Sequence, residues 1–283
     1  MADAEDAVQE TYLRWHATDR DRVSDPRAFL MTTTARICLD MLTSARARRE
    51  EYVGPWLPEP VVDTALAPDS RTGLAEDLSI ALLLILDELS PLERAAFLLH
   101  DVFDFAFSEV ATALQRSEAA CRQIAARARR HVRAARPRGA IPAPTRSGGI
   151  DPKHAQLMSA FAAATQSGDL NALMQLLASD VRIVTDGGGK VRSALNVIEG
   201  ADRAAQFLVD VTRKRPGAWW RDDFRPRFAM INGLPGIVVE APGGAVQTAA
   251  FEIEDGVIRA LYVVRNPDKL RHLAAARHGS GPE

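Results

Sequence analysis

The sequence is poor in cysteine, in aromatic residues and in long apolar runs, and each shortage excludes something. Its two cysteines, Cys38 and Cys121, stand far apart with no Cys-x-x-Cys pair. That excludes a disulfide framework and a cysteine-based zinc site. No spacing of His, Asp or Glu suggests a metal either, so neither metal nor cofactor is expected. The longest apolar run, residues 80–86, is far short of the roughly 20 residues that span a bilayer. The first residues are acidic and lack the basic and apolar regions of a secretory signal. A cytoplasmic chain without a membrane partner is the expectation. The net charge of −2, from 35 basic and 37 acidic residues, indicates no partner by itself.

What is present is a globular composition, with 47% apolar and 25% charged residues. At roughly 100–200 residues per domain, 283 residues suggest two domains and leave room for one or three. The charge is unevenly placed. Between Arg116 and Arg138 there are eight arginines and one acid, Glu118, whereas Asp3, Glu5, Asp6 and Glu10 precede any base. Such polarity suggests two partners of opposite sign.

Two Pro/Gly-rich stretches, residues 54–73 and 137–149, divide the chain. Ahead of the second, every periodic segment reads as helix. Ala4, Val8, Tyr12 and Trp15 form one stripe. Asp25-Pro26 opens a helix through Leu30, Ile37 and Met41, and Leu74, Leu78, Leu82, Ile85 and Leu89 mark another. Ser90-Pro91-Leu92-Glu93 is a capping box with proline at the first helical position. Beyond residue 150, Asp151-Pro152 starts a helix that Gly168 stops, and Asp169 caps a short one reaching Leu177. Strand-like segments follow at 181–185, 194–198, 224–231, 237–240, 246–253 and 257–264, interrupted by a helix over about 202–214. Asp255-Gly256 between the last two strands is a hairpin signal. An all-α half thus precedes an α+β half.

The densest chemistry lies in residues 108–132. Ser108 is positioned to cap a short helix over 109–114, Gln115-Arg116 turns the chain, and Ser117 caps a second helix from Glu118. That is a helix-turn-helix, whose second helix enters the DNA major groove. At 100° per residue, Cys121, Ile124, Ala125, Ala128 and Val132 share an inward face. Ala119, Gln123, Ala126, Arg127 and Arg130 lie opposite, with Arg122 on the flank. Arginine suits guanine edges and phosphates, and glutamine suits adenine. Gln115 stands where such turns usually carry glycine, and a left-handed residue there costs about 1 kcal/mol without it.

These segments carry a resemblance. Residues 89–103 and 107–130 resemble region 4 of bacterial sigma-70-type sigma factors of the extracytoplasmic-function group. Residues 3–15 and 25–60 look like their region 2 and the start of the interdomain linker. Trp56-Leu57-Pro58-Glu59-Pro60, Asp186-Gly187-Gly188-Gly189-Lys190 and Asn266-Pro267-Asp268-Lys269-Leu270 are similar to signatures of a subgroup with a C-terminal SnoaL-like domain, an α+β cone. The resemblance implies binding to core RNA polymerase and promoter DNA. It implies that Asp6, Gln9 and Glu10 face the polymerase, that Arg36 and Asp40 read the −10 strand, and that Arg122, Gln123 and Arg127 read −35. Ser117 and Arg130 join the −35 group, and Arg46, Arg48 and Arg49 offer positive charge for the opened −10 strand. It also implies one more helix ahead of Asp3, without which the Ala4–Trp15 stripe is expected to lack a packing partner.

The expected organisation is region 2 over 1–50, a linker over 51–73, region 4 over 74–136, a second linker over 137–150 and a SnoaL-like domain over 151–283. The C-terminal domain is expected to modulate the sigma regions in cis. Its docking residues would be Trp56 to Pro60, Asp186 to Lys190, and Asn266, Pro267, Asp268 and Lys269. A small-molecule ligand of this domain is an open option. The alternatives are a one-component ligand-sensing regulator and, less favoured, a polyketide-cyclase-like enzyme using Asp186, Asp222 or Asp223. Gly187-Gly188-Gly189-Lys190 is not a phosphate-binding loop, which needs four residues between its glycines and Ser or Thr after the lysine.

Overall fold

Helix starts encoded in the sequence shape the N-terminal half of the computed structural model, which describes residues 2–49, 52–62, 80–135, 150–214, 223–242 and 244–275. Two helices, α1 (Ala2–Ala17) and α2 (Pro26–Arg49), open the chain. Asp25 accepts the Ala28 N–H at 3.0 Å, capping α2 as its Asp-Pro start predicts. Then come α3 (Ile80–Glu88), α4 (Pro91–Phe97), a π-helical turn (Leu98–Val102), α5 (Phe107–Leu114) and α6 (Glu118–Ala135). The capping box at Ser90 forms in full: Glu93 N–H donates to the Ser90 hydroxyl, and the Glu93 carboxylate accepts the Ser90 N–H at 3.1 Å. Residues 74–79, read as the start of α3, lie outside the described residues.

Described residues of 1–51 and 81–140 form one compact unit, and those of 52–80 and 141–283 form another. In the first, Ala96, Val110, Leu114, Cys121, Ile124 and Ala125 make a core against which Leu39 of α2 packs. The Arg27 guanidinium of α2 also stacks 4.8 Å from the centre of the Phe105 ring. Helix α2 and helices α4 to α6 are therefore packed together. The α1 stripe differs from the sequence expectation. Ala7 and Thr11 are buried and Trp15 lies 5.5 Å from the Phe29 ring, so α1 does have a packing partner in α2. Ala4, Val8 and Tyr12 are exposed. Ala7 and Thr11 win the interior because small side chains let two helices approach closely, and Thr11 Oγ1 hydrogen bonds within the contact to Ala7 O and Thr34 Oγ1.

The second unit begins with α7 (Pro152–Ser167) and α8 (Leu170–Leu176), capped by Asp151 and Asp169 as expected. A six-stranded sheet follows: β1 (Leu177–Asp186), β2 (Ile198–Glu199), β3 (Arg225–Ile231), β4 (Leu234–Ala241), β5 (Gly244–Glu254) and β6 (Val257–Val264). Helix α9 (Ala201–Lys214) interrupts the strands, and α10 (Pro267–Ala275) ends the described chain. The strand order is β2-β1-β6-β5-β4-β3, antiparallel except where β1 runs parallel to β6. Alternate residues Ala249, Phe251 and Ile253 of β5 and Leu261 and Val263 of β6 meet Met158, Phe161, Leu173 and Leu208 from the helices. Phe161 and Phe251 meet edge to face at 5.3 Å, an arrangement that adds about 0.5–1.5 kcal/mol beyond area burial. The opposite parity, including Val184, Val238, Ala250 and Val264, is buried as well, so both faces of the sheet are covered. A helical N-terminal half joined to a C-terminal α+β half is the architecture, as the sequence predicts.

Two local readings change. The strand expected over 194–198 shortens to Ile198–Glu199. Ahead of it the Thr185 hydroxyl accepts the Ala194 N–H at 2.8 Å and donates to its carbonyl at 3.2 Å, so one side chain replaces the ladder. The cap of α5 is Ala106, not Ser108. Alanine has no side-chain acceptor, and the Glu109 carboxylate instead takes the Ala106 N–H at 2.8 Å. No described helix is long and apolar enough to cross a membrane.

Candidate nucleic-acid interface and linker dock

Helix α6 has the two faces that its periodicity predicts. Cys121, Ile124, Ala125, Ala128 and Val132 are buried, while Ala119, Arg122, Gln123, Ala126, Arg127 and Arg130 are exposed. The turn before it is left-handed at Gln115, with φ 52° and ψ 50°. Ser117 Oγ accepts the Ala120 N–H at 3.2 Å, so Ser117 acts as the cap that aims the helix. Arg122 pairs with Glu118 one turn earlier and lies 5.4 Å from the centre of the Phe107 ring. Such an exposed pair holds the guanidinium weakly and leaves it free to exchange onto a phosphate or base edge.

Arg127 lies 3.8 Å from Glu93, and His131 lies 3.7 Å from the same carboxylate. Burial disfavours ionisation of Glu93. The hydrogen bonds from Ser90 outweigh it, with His131 and Arg127 adding their charge, and the carboxyl is held below the usual range. Glu93 thus links the start of α4 to the recognition helix.

Elsewhere in this unit, Asp6 and Gln9 are exposed on α1, and Glu10 is half-buried with its carboxylate on Arg14 at 2.8 Å. Arg36 and Asp40 are both exposed and one turn apart on α2. Arg46, Arg48 and Arg49 belong to α2, but their side chains lie outside the described residues.

The second unit gathers all three signature segments around one carboxylate. Asp186, fully buried at the end of β1, accepts four hydrogen bonds. Its Oδ1 takes the Tyr52 hydroxyl at 2.5 Å and the Gly188 N–H at 3.0 Å. Its Oδ2 takes the Leu57 N–H at 2.9 Å and the Lys269 ammonium at 2.7 Å. Lys269 also donates to the Leu57 carbonyl and lies 4.2 Å from the Trp56 ring centre, a cation–π distance.

Asn266 serves two ends: its Oδ1 caps α10 at the Asp268 N–H, and its Nδ2 donates to the Tyr52 hydroxyl at 2.9 Å. Pro267 follows as the first helical residue, and Asp268 pairs with Lys190. Gly188 has φ 58°, and a Cβ there would collide with the Asn266 amide and lie 3.0 Å from Tyr52 Oη. Only glycine permits that approach. Leu57, Pro58 and Pro60 are buried, while Trp56 and Glu59 are half-buried. Residues 52–62, read as part of a linker, are thus a packed component of the second unit.

The sequence reading missed three residues here. Tyr52 precedes the Trp56–Pro60 motif by four positions, and its hydroxyl completes the Asp186 shell. Burial, then the bond to Asp186, pushes its pKa well above the ordinary tyrosine value. His272 Nε2 meets the Pro60 carbonyl at 2.8 Å. Asn232 sits in the β3–β4 turn against Glu59 and Val61. An Asn-Gly pair between two strand-like runs was the signal available for the last. A separate cleft of about 850 Å³ lies among Leu170, Met174, Ile198 and Phe207, rimmed by Asp202, Arg203 and Asp210. It shares no lining residue with the Asp186 cluster.

An exposed arginine face on a helix-turn-helix, in a chain that also carries an α+β domain holding its linker, defines a DNA-binding transcription protein. Comparison with known proteins narrows this. Residues 1–48 match the family described as Sigma-70 region 2, and residues 79–132 match Sigma-70, region 4. The chain is 40% identical over 279 residues to the ECF RNA polymerase sigma factor SigJ of Mycobacterium tuberculosis, covering 95% of this chain and 86% of that protein. It is 29% identical over 280 residues to the probable ECF RNA polymerase sigma factor SigI of the same species, covering 98% and 89%. The crystal structure of SigJ superposes with a TM-score of 0.69 at 35% identity, over 95% of this chain and 89% of that one. The chain belongs to the ECF sigma factors, and its function is transcription initiation.

Proposed function

We propose that the chain directs core RNA polymerase to specific promoters and that its C-terminal domain modulates this in cis through the docked linker. In this reading Asp6, Gln9 and Glu10 on α1 meet the polymerase, because an acidic helix face suits a basic protein surface. Arg122, Gln123, Arg127 and Arg130 on α6 read the −35 element, with Ser117 setting the helix start. Arg36 and Asp40, with Arg46, Arg48 and Arg49, act on the −10 strand. Residues 186–190 and 266–269 hold linker residues 56–60, and their release lets the two sigma regions separate to promoter spacing. A ligand in the 850 Å³ cleft would shift this equilibrium only by binding the two states unequally.

The observation that carries the reading is the engagement of Asp186. All four hydrogen bonds of this buried carboxylate go to linker and domain atoms. A carboxylate with no exposed surface and no spare acceptor supports a holding role and argues against one as catalytic acid or base. Run-off transcription with purified core polymerase, on promoters selected by the full chain from random DNA, tests the proposal. Promoter-specific initiation that depends on Arg127 supports it, and no initiation above core polymerase alone overturns it.

A further inference from the structure

The linker segment Leu57-Pro58-Glu59-Pro60-Val61 has few backbone donors, because each proline removes one. The N–H of Leu57 goes to Asp186, and that of Val61 goes to Asn232 Oδ1 at 2.7 Å. Asn232 contributes more than this one acceptor. Its own N–H donates to the Val61 carbonyl at 2.9 Å, and its Nδ2 donates to the Glu59 carbonyl at 3.2 Å. Directly beyond, Val62 forms an antiparallel bridge with Ile231, the last residue of edge strand β3. Asn232 is 7% exposed and has φ 48°, and Gly233 follows with φ 77°. Such angles belong to a two-residue hairpin turn, whose side chains usually face water. Here the side chain instead imitates a strand, offering an acceptor and a donor to an extended segment, as in strand addition at a sheet edge.

We propose that Asn232 is a further anchor for the linker, separate from Asp186 and lying beside the contact of His272 with the Pro60 carbonyl. It is a positioning residue that sets the register of residues 59–61 on the edge of the sheet, while Asp186 holds residues 52–57. Its three hydrogen bonds to the segment are all with backbone atoms, so they read its extended proline-spaced shape. The inference rests on the reading that linker docking matters for activity only for its biological consequence, because the anchoring itself is measurable without transcription.

Residue-resolved hydrogen exchange on the full chain tests it, since Leu57 and Val61 report the two anchors separately. Asn232→Gly keeps a residue suited to the left-handed turn and removes both side-chain contacts. The Val61 amide should then exchange about tenfold faster, the loss expected for one hydrogen bond of ordinary net strength. Leu57 and the β3–β4 ladder should stay protected. Asn232→Asp retains the acceptor and should keep Val61 slow. Unchanged Val61 exchange in Asn232→Gly overturns the proposal, as does acceleration shared by the β3 and β4 amides, which would make Asn232 a turn former alone. Run-off transcription with the same variant separates the two readings: faster Val61 exchange with unaltered initiation keeps the anchor and overturns the regulatory role.

Discussion

Asp186 Oδ2 accepts the Leu57 backbone N–H at 2.9 Å across 129 residues of sequence, while the same oxygen holds the Lys269 ammonium at 2.7 Å. The Asp186 side chain has no exposed surface and the Lys269 side chain is 10% exposed. Removing one charge of such a pair leaves the other uncompensated, at a cost of about 3–5 kcal/mol. Asp186→Asn should therefore lower the unfolding free energy of the second unit by about that amount in urea titration. Adding Lys269→Met should restore only part of it: the stranded ammonium is gone, but the amide NH2 introduced by Asp186→Asn still faces a backbone N–H that the carboxylate accepted.

Leu57 itself is completely buried. Leu57→Ala keeps the backbone contacts to Asp186 and Lys269 but leaves a void, and should cost about 2–5 kcal/mol. Limited proteolysis should then cut within residues 52–62 faster than in the parent chain. Equal cutting rates would show that apolar burial contributes nothing to docking.

Tyr52 makes docking sensitive to alkali. Its raised pKa means that the folded chain keeps a proton which the unfolded chain releases near the ordinary tyrosine value of about 10. A raised group stabilises fully below the unfolded pKa, and that contribution disappears as pH rises through the folded one. Tyr262 is raised too, first by burial and then by the Glu252 charge. The melting temperature should fall above about pH 10. Tyr52→Phe and Tyr262→Phe should each flatten part of that slope.

On the DNA side, Arg122→Ala and Arg127→Ala should each weaken −35 binding by about 1–3 kcal/mol if they read base edges. Footprinting titrations at fixed salt measure this. A loss that is uniform across sequences would assign the residue to the phosphate backbone.

Gln115 adopts a left-handed conformation at the helix-turn-helix corner. Gln115→Gly should stabilise the first unit by up to about 1 kcal/mol in chemical denaturation while leaving the α6 surface in place.

Much of the molecule was legible beforehand because its signals are local. The Ser90 capping box, the Asp25, Ser117 and Asp151 caps and the Asp255-Gly256 turn act over three or four residues, and each forms as read. The inward face of α6 follows from its 3.6-residue period alone. Local reading failed where two options of similar strength competed. On α1, the larger Val8 and Tyr12 promised more buried area, but close packing against α2 selected Ala7 and Thr11. At residues 194–198, the Thr185 hydroxyl satisfied the backbone that a strand ladder would otherwise have paired.

The linker dock divides along the same line. The resemblance pointed to the three segments at 56–60, 186–190 and 266–269, and nothing in their spacing said what binds them together. Asn232 escaped notice although Asn-Gly stood in plain view, because a turn residue looks the same whether its side chain meets water or another segment.

By itself, the sequence determined the order of domains, the helix starts, the arginine face of α6 and the family, since each depends on neighbours along the chain or on motif identity. Only the tertiary structure decided that Tyr52, Leu57, Gly188 and Lys269 share one carboxylate, and that Asn232 holds Val61. A buried charge takes its partners from whatever the fold brings within about 3 Å, and sequence separation carries no information about that distance.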